Sequence, residues 1–190
     1  MIMIDTKEKL KECLAIEKKL YQEIGYKGKL HAFISSCEAG KIYAYIESMR
    51  KDEYYTNKSS KTPIDKLKKA YYHRIHNKLG ITLGMSIPIN TFGKGLLIYH
   101  AQGIIVNKEC RNGEFCKLHG LNCIGNNGID GAIPQLQNHV DVGVGAVIIG
   151  NIVLASHTKV AANCVVCKSF TQEYQVLAGV PAKIIKIERP

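Results

Sequence analysis

The sequence predicts a solenoid of short parallel strands that follows a small helical domain. The first observation is a period of six: a large aliphatic side chain stands at Val142, Ile148, Leu154, Val160 and Val166. The second is a small side chain four positions later in most repeats, at Ala146, Thr158 and Cys164. A helix repeats every ~3.6 residues and a strand every ~2, so a period of six fits neither. Three sides of six residues make a triangular coil of about 18 residues, with the aliphatic side chains inside.

The same register extends towards the N-terminus. Counting back in sixes from Val142 reaches four aliphatic residues, Leu136, Ile124, Leu118 and Val106, and two polar residues, Asp130 and Asn112. Asp130 lies in the stretch GNNGIDGAIPQ, whose glycines and asparagines are typical of a loop that leaves the coil. Asn112 has no explanation at this level. We therefore assign residues 81–190 to the solenoid and a C-terminal tail.

Residues 1–80 follow a helical period instead. The stretches KEKLKECLAIEKKLYQEI and KIYAYIESMRKDEYY space their apolar side chains as a helix does. A third helix is expected between Pro63, which suits a first helical turn, and Gly80, which suits a helix end. The sequence therefore predicts an N-terminal domain of three helices.

The composition narrows the possible classes of function. The net charge is +10, but the 26 basic residues are mixed with 16 acidic ones and form no patch interleaved with aromatics, so we expect no nucleic-acid partner. No apolar run approaches the ~18 residues of a membrane span, and the chain begins without a secretory signal, so we expect a cytoplasmic protein. The seven cysteines are odd in number, and Cys110, Cys116 and Cys164 occupy the small-residue position of the repeat. We expect reduced, buried thiols and no metal site.

Two stretches of the chain resemble a known family. The hexads together with LAGVPAKIIK (177–186) resemble the left-handed parallel β-helix of hexapeptide-repeat acyltransferases. The stretch GKGLLIYHAQGIIVNKECRNGEFCKLHGLNCIG (93–125) is similar to the catalytic region of serine O-acetyltransferases and of serine-acetyltransferase-like enzymes of surface-polysaccharide synthesis. The match covers roughly residues 71–187. It implies a left-handed β-helix, acetyl-CoA as the acyl donor, a hydroxyl acceptor, and a homotrimer or a dimer of trimers.

The resemblance also implies roles for individual residues. Acetyl transfer to a hydroxyl needs a base for the proton and a donor for the oxyanion. His100 aligns with the general base of the family, and Asn126 aligns with the position whose backbone N–H stabilises the oxyanion. His119 follows one coil later and either faces the acceptor, orients His100 or points to solvent. His73 and His76 on the third helix are weaker candidates for a pocket wall.

The cofactor positions follow from the same resemblance. Small residues at coil corners let the pantetheine arm lie close to the backbone, although packing alone also requires small residues there. The residues that match the family's CoA-lining positions and its C-terminal segment are Val144, Gly145, Ala162, Lys168, Gly179, Pro181 and Lys183. Either lysine would meet a phosphate group.

Departures from the serine enzymes bear on the acceptor. Tyr99 stands where they carry an aspartate, residues 132–134 read Ala-Ile-Pro in place of Arg-His-Pro, and residues 85–86 lack the aspartate that orients the base. Free serine is a zwitterion, and an unpaired charge in a partly buried pocket costs several kcal/mol. We therefore expect a sugar hydroxyl of a surface-polysaccharide precursor, bound by Tyr99, Asn127 and Asp130. Serine is the alternative acceptor, and a non-catalytic β-helical scaffold is a further alternative.

Overall fold

The described residues of the helical half form four helices, one more than the sequence predicts. The structure is a computed structural model, and it describes residues 3–128 and 131–188. The helices are α1 (Lys7–Glu23), α2 (Lys29–Ser35), α3 (Glu38–Asn57) and α4 (Pro63–Leu83). The unexpected α2 has seven residues and buries none of them. Its Leu30, Phe33 and Ile34 have helical spacing but are exposed, and two turns are too short for a periodicity search to distinguish from a loop. No helix among the described residues is long and apolar enough to cross a membrane.

The third predicted helix ends later than expected. Gly80 lies inside α4, and the helix ends at Gly84, which caps it in the left-handed conformation with φ 64°. A Cβ atom on Gly80 would lie 2.7 Å from the carbonyl oxygen of Met85 and 3.3 Å from the Tyr45 ring. The glycine at position 80 therefore allows a close approach between the helix and the first strand, and Gly84 supplies the helix end.

The second half is a triangular solenoid, as the period of six predicts. Its strands are β1 (Met85–Ser86), β2 (Leu97–Ile98), β3 (Ile104–Val106), β4 (Lys117–Leu118), β5 (Cys123–Gly125), β6 (Gln135–Leu136), β7 (Asp141–Val142), β8 (Val147–Ile149), β9 (Val153–Leu154), β10 (Lys159–Val160), β11 (Val165–Val166), β12 (Gln175–Ala178) and β13 (Lys183–Ile187). They form sheet I (β1-β3-β5-β8-β11), sheet II (β2-β4-β7-β10-β12-β13) and sheet III (β6-β9). Every strand pair is parallel except β12 with β13.

The aliphatic positions of the repeat form the core of this solenoid. In sheet II the register places Leu118 beside Val142 and Val142 beside Val160, and all three side chains are buried. Asn112 points inward on the third side of the coil, beside Phe92 and Leu136. Its side chain is fully buried, and its Oδ1 accepts a hydrogen bond from the Leu136 backbone N–H at 3.2 Å. The six-residue count made from the sequence is therefore correct at Asn112, although this residue is polar. Asp130 lies outside the described residues.

The cysteines of the repeat also lie where the sequence predicts. Cys110, Cys116 and Cys164 are free thiols buried in the core. Burial raises the pKa of Cys110 to about 11 and that of Cys116 to about 12, so both stay protonated at neutral pH.

A column of aromatic rings follows the edge between sheet III and sheet II. The rings of Phe115, His139, His157 and Tyr174 stack in succession, with centroids 5.1, 4.6 and 4.6 Å apart and neighbouring planes within 7° of parallel. All four residues have positive φ, between 54° and 61°. This edge therefore turns at one left-handed residue in each coil, and the side chain of that residue stacks on the next.

A buried ion cluster fixes the helical half to the first coil. The Arg50 guanidinium on α3 is 1% exposed and bonds Glu17 Oε1 at 2.8 Å and Glu53 Oε2 at 2.9 Å. The same guanidinium donates to the backbone carbonyls of Phe92 at 3.0 Å and Gly93 at 2.6 Å. Burial raises the pKa of Glu17, and the charge of Arg50 opposes that rise. The division into residues 1–80 and 81–190 stays a prediction.

The two ends of the solenoid are covered differently. At the first coil, α4 contacts β1 and α1 contacts β2. At the last coil, β13 turns back antiparallel to β12, with an irregular register between Val176 and Leu177. All five residues of β13 are exposed.

Candidate active site

His100 projects from the edge where sheet II turns into sheet I. It follows β2, and its side chain is 69% exposed. Gly120 stands below it in the next coil, where a Cβ atom would lie 3.3 Å from His100 Cβ. Gly120 has φ 108°, which a residue with a side chain adopts only under strain. The coil below therefore leaves room beside the imidazole. We call residues 99–103, 119–122, 143–146, 161–164 and 179–182 the His100 edge.

One carboxylate of the helical half contacts both His100 and the chain beside it. Glu38, the first residue of α3, places Oε2 3.2 Å from His100 Nδ1. Its Oε1 accepts a hydrogen bond from the Ala101 backbone N–H at 2.9 Å. An ionised carboxylate only accepts hydrogen bonds, so the contact requires the proton of a neutral imidazole on Nδ1 and leaves Nε2 with its lone pair. The repeat gives no signal for Glu38, which lies 62 residues from His100 in the chain.

His119 lies on the same edge and has other partners. Its Nε2 is 2.8 Å from Asp141 Oδ1, and its ring stacks on Tyr99 with centroids 4.4 Å apart. The contact to His100 Nδ1 comes from Glu38 and not from His119. The roles expected of His119 stay predictions.

The asparagines predicted for the site lie on a different edge of the same chain. Asn126 and Asn127 follow β5, and both are exposed where sheet I turns towards sheet III. His100 precedes sheet I and these residues follow it, so the width of the sheet separates them. One copy of the described chain therefore does not bring the base and the expected oxyanion donor together.

Most of the predicted CoA positions share the edge of the base. Val144, Gly145, Ala162, Gly179 and Pro181 all belong to the His100 edge. Neighbouring coils are joined there by backbone hydrogen bonds, from Gly145 N–H to the Gly120 carbonyl at 3.0 Å and from Asn163 N–H to the Val144 carbonyl at 2.8 Å.

Packing alone accounts for one of these glycines. Gly145 has φ 72°, and Oδ1 of Asn163 occupies the place of its missing Cβ.

The two lysines predicted to bind CoA lie outside the His100 edge. Lys168 follows β11 on another edge, with its Nζ 5.5 Å from the Phe170 ring centre, and Lys183 opens the exposed strand β13.

A groove of about 590 Å³ lies between α3, α4, the segment after α4 and Ile105 of sheet I. Its wall includes the buried Asp52, whose Oδ2 is 2.9 Å from His73 Nδ1 and 3.8 Å from His76 Nδ1. Burial would raise the pKa of Asp52, but hydrogen bonds from His76 and His73 hold it below its usual value. Both histidines therefore lie on a pocket wall, as expected. Within residues 3–128 and 131–188, no cluster of His, Cys, Asp and Glu is arranged to hold a metal ion.

The coils, their register and their edges define a left-handed parallel β-helix of hexapeptide repeats. Among its relatives are serine acetyltransferases. The enzyme of Haemophilus influenzae is 30% identical over 152 residues, which are 78% of this chain and 54% of the relative. That of Synechococcus elongatus is 28% identical over 100 residues, or 52% of this chain and 41% of the relative. The chain thus spans about half the length of these curated relatives. No protein-family model matches it.

Solved structures show the same fold. Serine acetyltransferase from Brucella abortus superposes with a TM-score of 0.69 at 20% identity, over 96% of this chain and 71% of that one. The Neisseria gonorrhoeae enzyme gives 0.71 at 20% identity, over 97% and 68%. A serine acetyltransferase in complex with CoA gives 0.64 at 22% identity, over 94% and 71%. The helical half is included in these matches because they extend over nearly the whole chain.

Proposed function

We propose that this chain is an acetyl-CoA-dependent O-acetyltransferase with His100 as its general base. The observation that carries the proposal is the Nε2 atom of His100, which is left with its lone pair on an exposed edge while Nδ1 is held by Glu38. The relatives named serine acetyltransferase support the same activity. The small residues that continue this edge, Val144, Gly145 and Ala162, are proposed to lie along the pantetheine arm.

The proposed reaction needs only a base and an oxyanion donor. His100 Nε2 takes the proton of the acceptor hydroxyl while that oxygen attacks the thioester carbonyl of acetyl-CoA. The tetrahedral oxyanion then collapses, its C–S bond breaks, and the CoA thiolate takes the proton from Nε2. The proton balance closes within one turnover. We assign the oxyanion contact to the backbone N–H of Asn126.

Because Asn126 and His100 lie on different edges, we propose that the site forms between copies in a homotrimer. The outward row of sheet I begins at the polar Ser86 and continues in register through the apolar Ile105, Cys123, Val147 and Val165. The matching row of sheet II carries the charged Lys117, Asp141 and Lys159 between Leu97 and Val176. An apolar face beside a charged one favours burial of sheet I against a neighbour. That neighbour would place its own Asn126 beside His100.

Serine is the acceptor that the relatives favour. The relatives from Haemophilus influenzae, Synechococcus elongatus and Staphylococcus xylosus are named serine acetyltransferase, and two solved neighbours are complexes with serine. A sugar hydroxyl is the second candidate, because Tyr99 and Ile133 provide no charge where the serine enzymes carry Asp and His. Tyr99 and Asn127 would then hydrogen-bond the sugar hydroxyls.

The test measures release of free CoA from acetyl-CoA with L-serine and with a panel of sugars and nucleotide sugars. His100→Ala should lower turnover about 10²- to 10⁴-fold and leave the Kd for acetyl-CoA unchanged. His31→Ala, which changes an exposed histidine of α2, is the matched control and should keep full turnover. Full turnover of His100→Ala would remove this residue from the mechanism. Failure of the wild type to bind acetyl-CoA would favour a non-catalytic scaffold.

The proposed homotrimer is tested by sedimentation, which should give three times the 21.1 kDa mass of one chain.

A further inference from the structure

We propose that Glu38 is the positioning residue for His100, so that the helical half sets the geometry of the base. This rests on the proposed function, since it concerns the residue assigned as the base. The contact is made by both oxygens of one carboxylate. Oε2 lies 3.2 Å from His100 Nδ1, and Oε1 accepts from the Ala101 N–H at 2.9 Å. One side chain thus fixes both the imidazole and the backbone that follows it.

Glu38 stands on a rigid support. It opens α3, a helix of 20 residues whose Arg50 is locked into the buried cluster with Glu17 and Glu53. The loop after His100 is held at a second point by the helical half, where the Gln102 backbone N–H donates to the Leu83 carbonyl at 2.8 Å. The base is therefore fixed from α3 and from the end of α4.

The contact determines which ring nitrogen can act as the base. A neutral imidazole carries one proton, and a general base needs the nitrogen that faces the acceptor to be free of it. Glu38 holds that proton on Nδ1, so the neutral imidazole keeps its lone pair on Nε2. Acidic residues in a first helical turn often serve only the helix dipole. Glu38 differs because both its oxygens bond to the loop of the solenoid.

A glutamine at this position would break the arrangement without changing its size. The amide has a single oxygen, so it satisfies one of the two donors and directs its own NH₂ group at the other. Glu38→Gln should therefore release the ring, and Glu38→Ala should do so without introducing a new donor. Glu8→Gln is the matched control, because Glu8 is an exposed acid in the first turn of α1.

The experiment combines kinetics with ¹⁵N NMR of the histidine rings in the full chain, with His100 assigned from the His100→Ala spectrum. Glu38→Gln and Glu38→Ala should lower kcat about tenfold to a hundredfold and leave both KM values within about twofold. The His100 ring signals should move from the Nδ1–H tautomer to a mixture of tautomers. Glu8→Gln should change neither quantity.

The possible results separate this inference from the proposed function. An unchanged His100 tautomer in an active enzyme overturns the positioning role alone. A raised KM for the acceptor with unchanged kcat also overturns it, because Glu38 would then bind substrate. If the wild type turns over no acceptor while the tautomer still shifts in Glu38→Gln, the contact is supported and the proposed reaction fails.

Discussion

Arg50→Met tests whether the buried ion cluster joins the two halves of the chain. The methionine keeps most of the side-chain volume but removes the bonds to Glu17, Glu53 and the Phe92 and Gly93 carbonyls. Two carboxyl groups, 0% and 2% exposed, are then left together without a cation. Removing one partner of a buried ion pair costs about 3–5 kcal/mol. For a chain of this size, that corresponds to a fall in Tm of about 6–20 °C.

Thermal and urea unfolding of the full chain would measure this change. Lys94→Met is the matched control, because Lys94 makes an exposed ion pair with Glu12 between the same two halves, at 2.6 Å. Exposed pairs contribute little to stability, so the control should unfold close to the wild type. If Arg50→Met lost less than about 1 kcal/mol, the cluster would not be the structural link inferred from its burial.

Two further predictions concern α4. A Cβ atom on Gly80 would crowd the Met85 carbonyl. Gly80→Ala should therefore lower the free energy of unfolding by about 1–3 kcal/mol. A variant more stable than the wild type would show that the helix can shift to make room. Asp65 completes the capping box of α4 with Thr62 and pairs with Lys58, and these bonds lower its pKa from 3.8 to about 2. A lowered pKa in the folded state contributes stability above the ordinary value and loses it as pH falls through about 2. The Tm advantage of the wild type over Asp65→Asn should therefore be constant near neutral pH and vanish towards pH 2, and a pH-independent difference would contradict the role of the charge.

The solenoid could be predicted because each of its coils repeats the same local requirement. An inward position must be apolar and the corner position must be small, and these demands recur along the chain without reference to distant residues. The count in sixes was therefore correct even at Asn112, which is buried inside the coil. The end of α4 was misplaced because Gly80 and Gly84 both follow a helical pattern. The two glycines differ in that the Met85 carbonyl oxygen lies close to Gly80, a contact that the sequence does not reveal.

The candidate site was only partly predictable for a different physical reason. His100 could be found from the motif around it, and the edge that it shares with Val144 and Ala162 follows from the repeat. Glu38 could not be found from the sequence, because its contact with His100 joins a helix to a loop 62 residues away. Such a contact produces no repeating pattern in the sequence. The cluster around Arg50 joins residues 33 and more positions apart in the same way. Such contacts depend on how the helices pack against the first coil.

The reversed strand β13 has a consequence for the solubility of the protein. Every coil offers its free N–H and C=O groups to the next coil, so the last coil of one molecule would be a template for the first coil of another, and fibres could grow end to end. At that last coil β13 runs in the opposite direction and carries Lys183 and Lys186 among the exposed Ile184, Ile185 and Ile187. A coil of another molecule could not pair with β13 in the parallel arrangement of sheet II, and it would contact the positive charges of the two lysines. In sheet II the last parallel strand is therefore covered by five residues of reversed direction, while the helices cover the first coil.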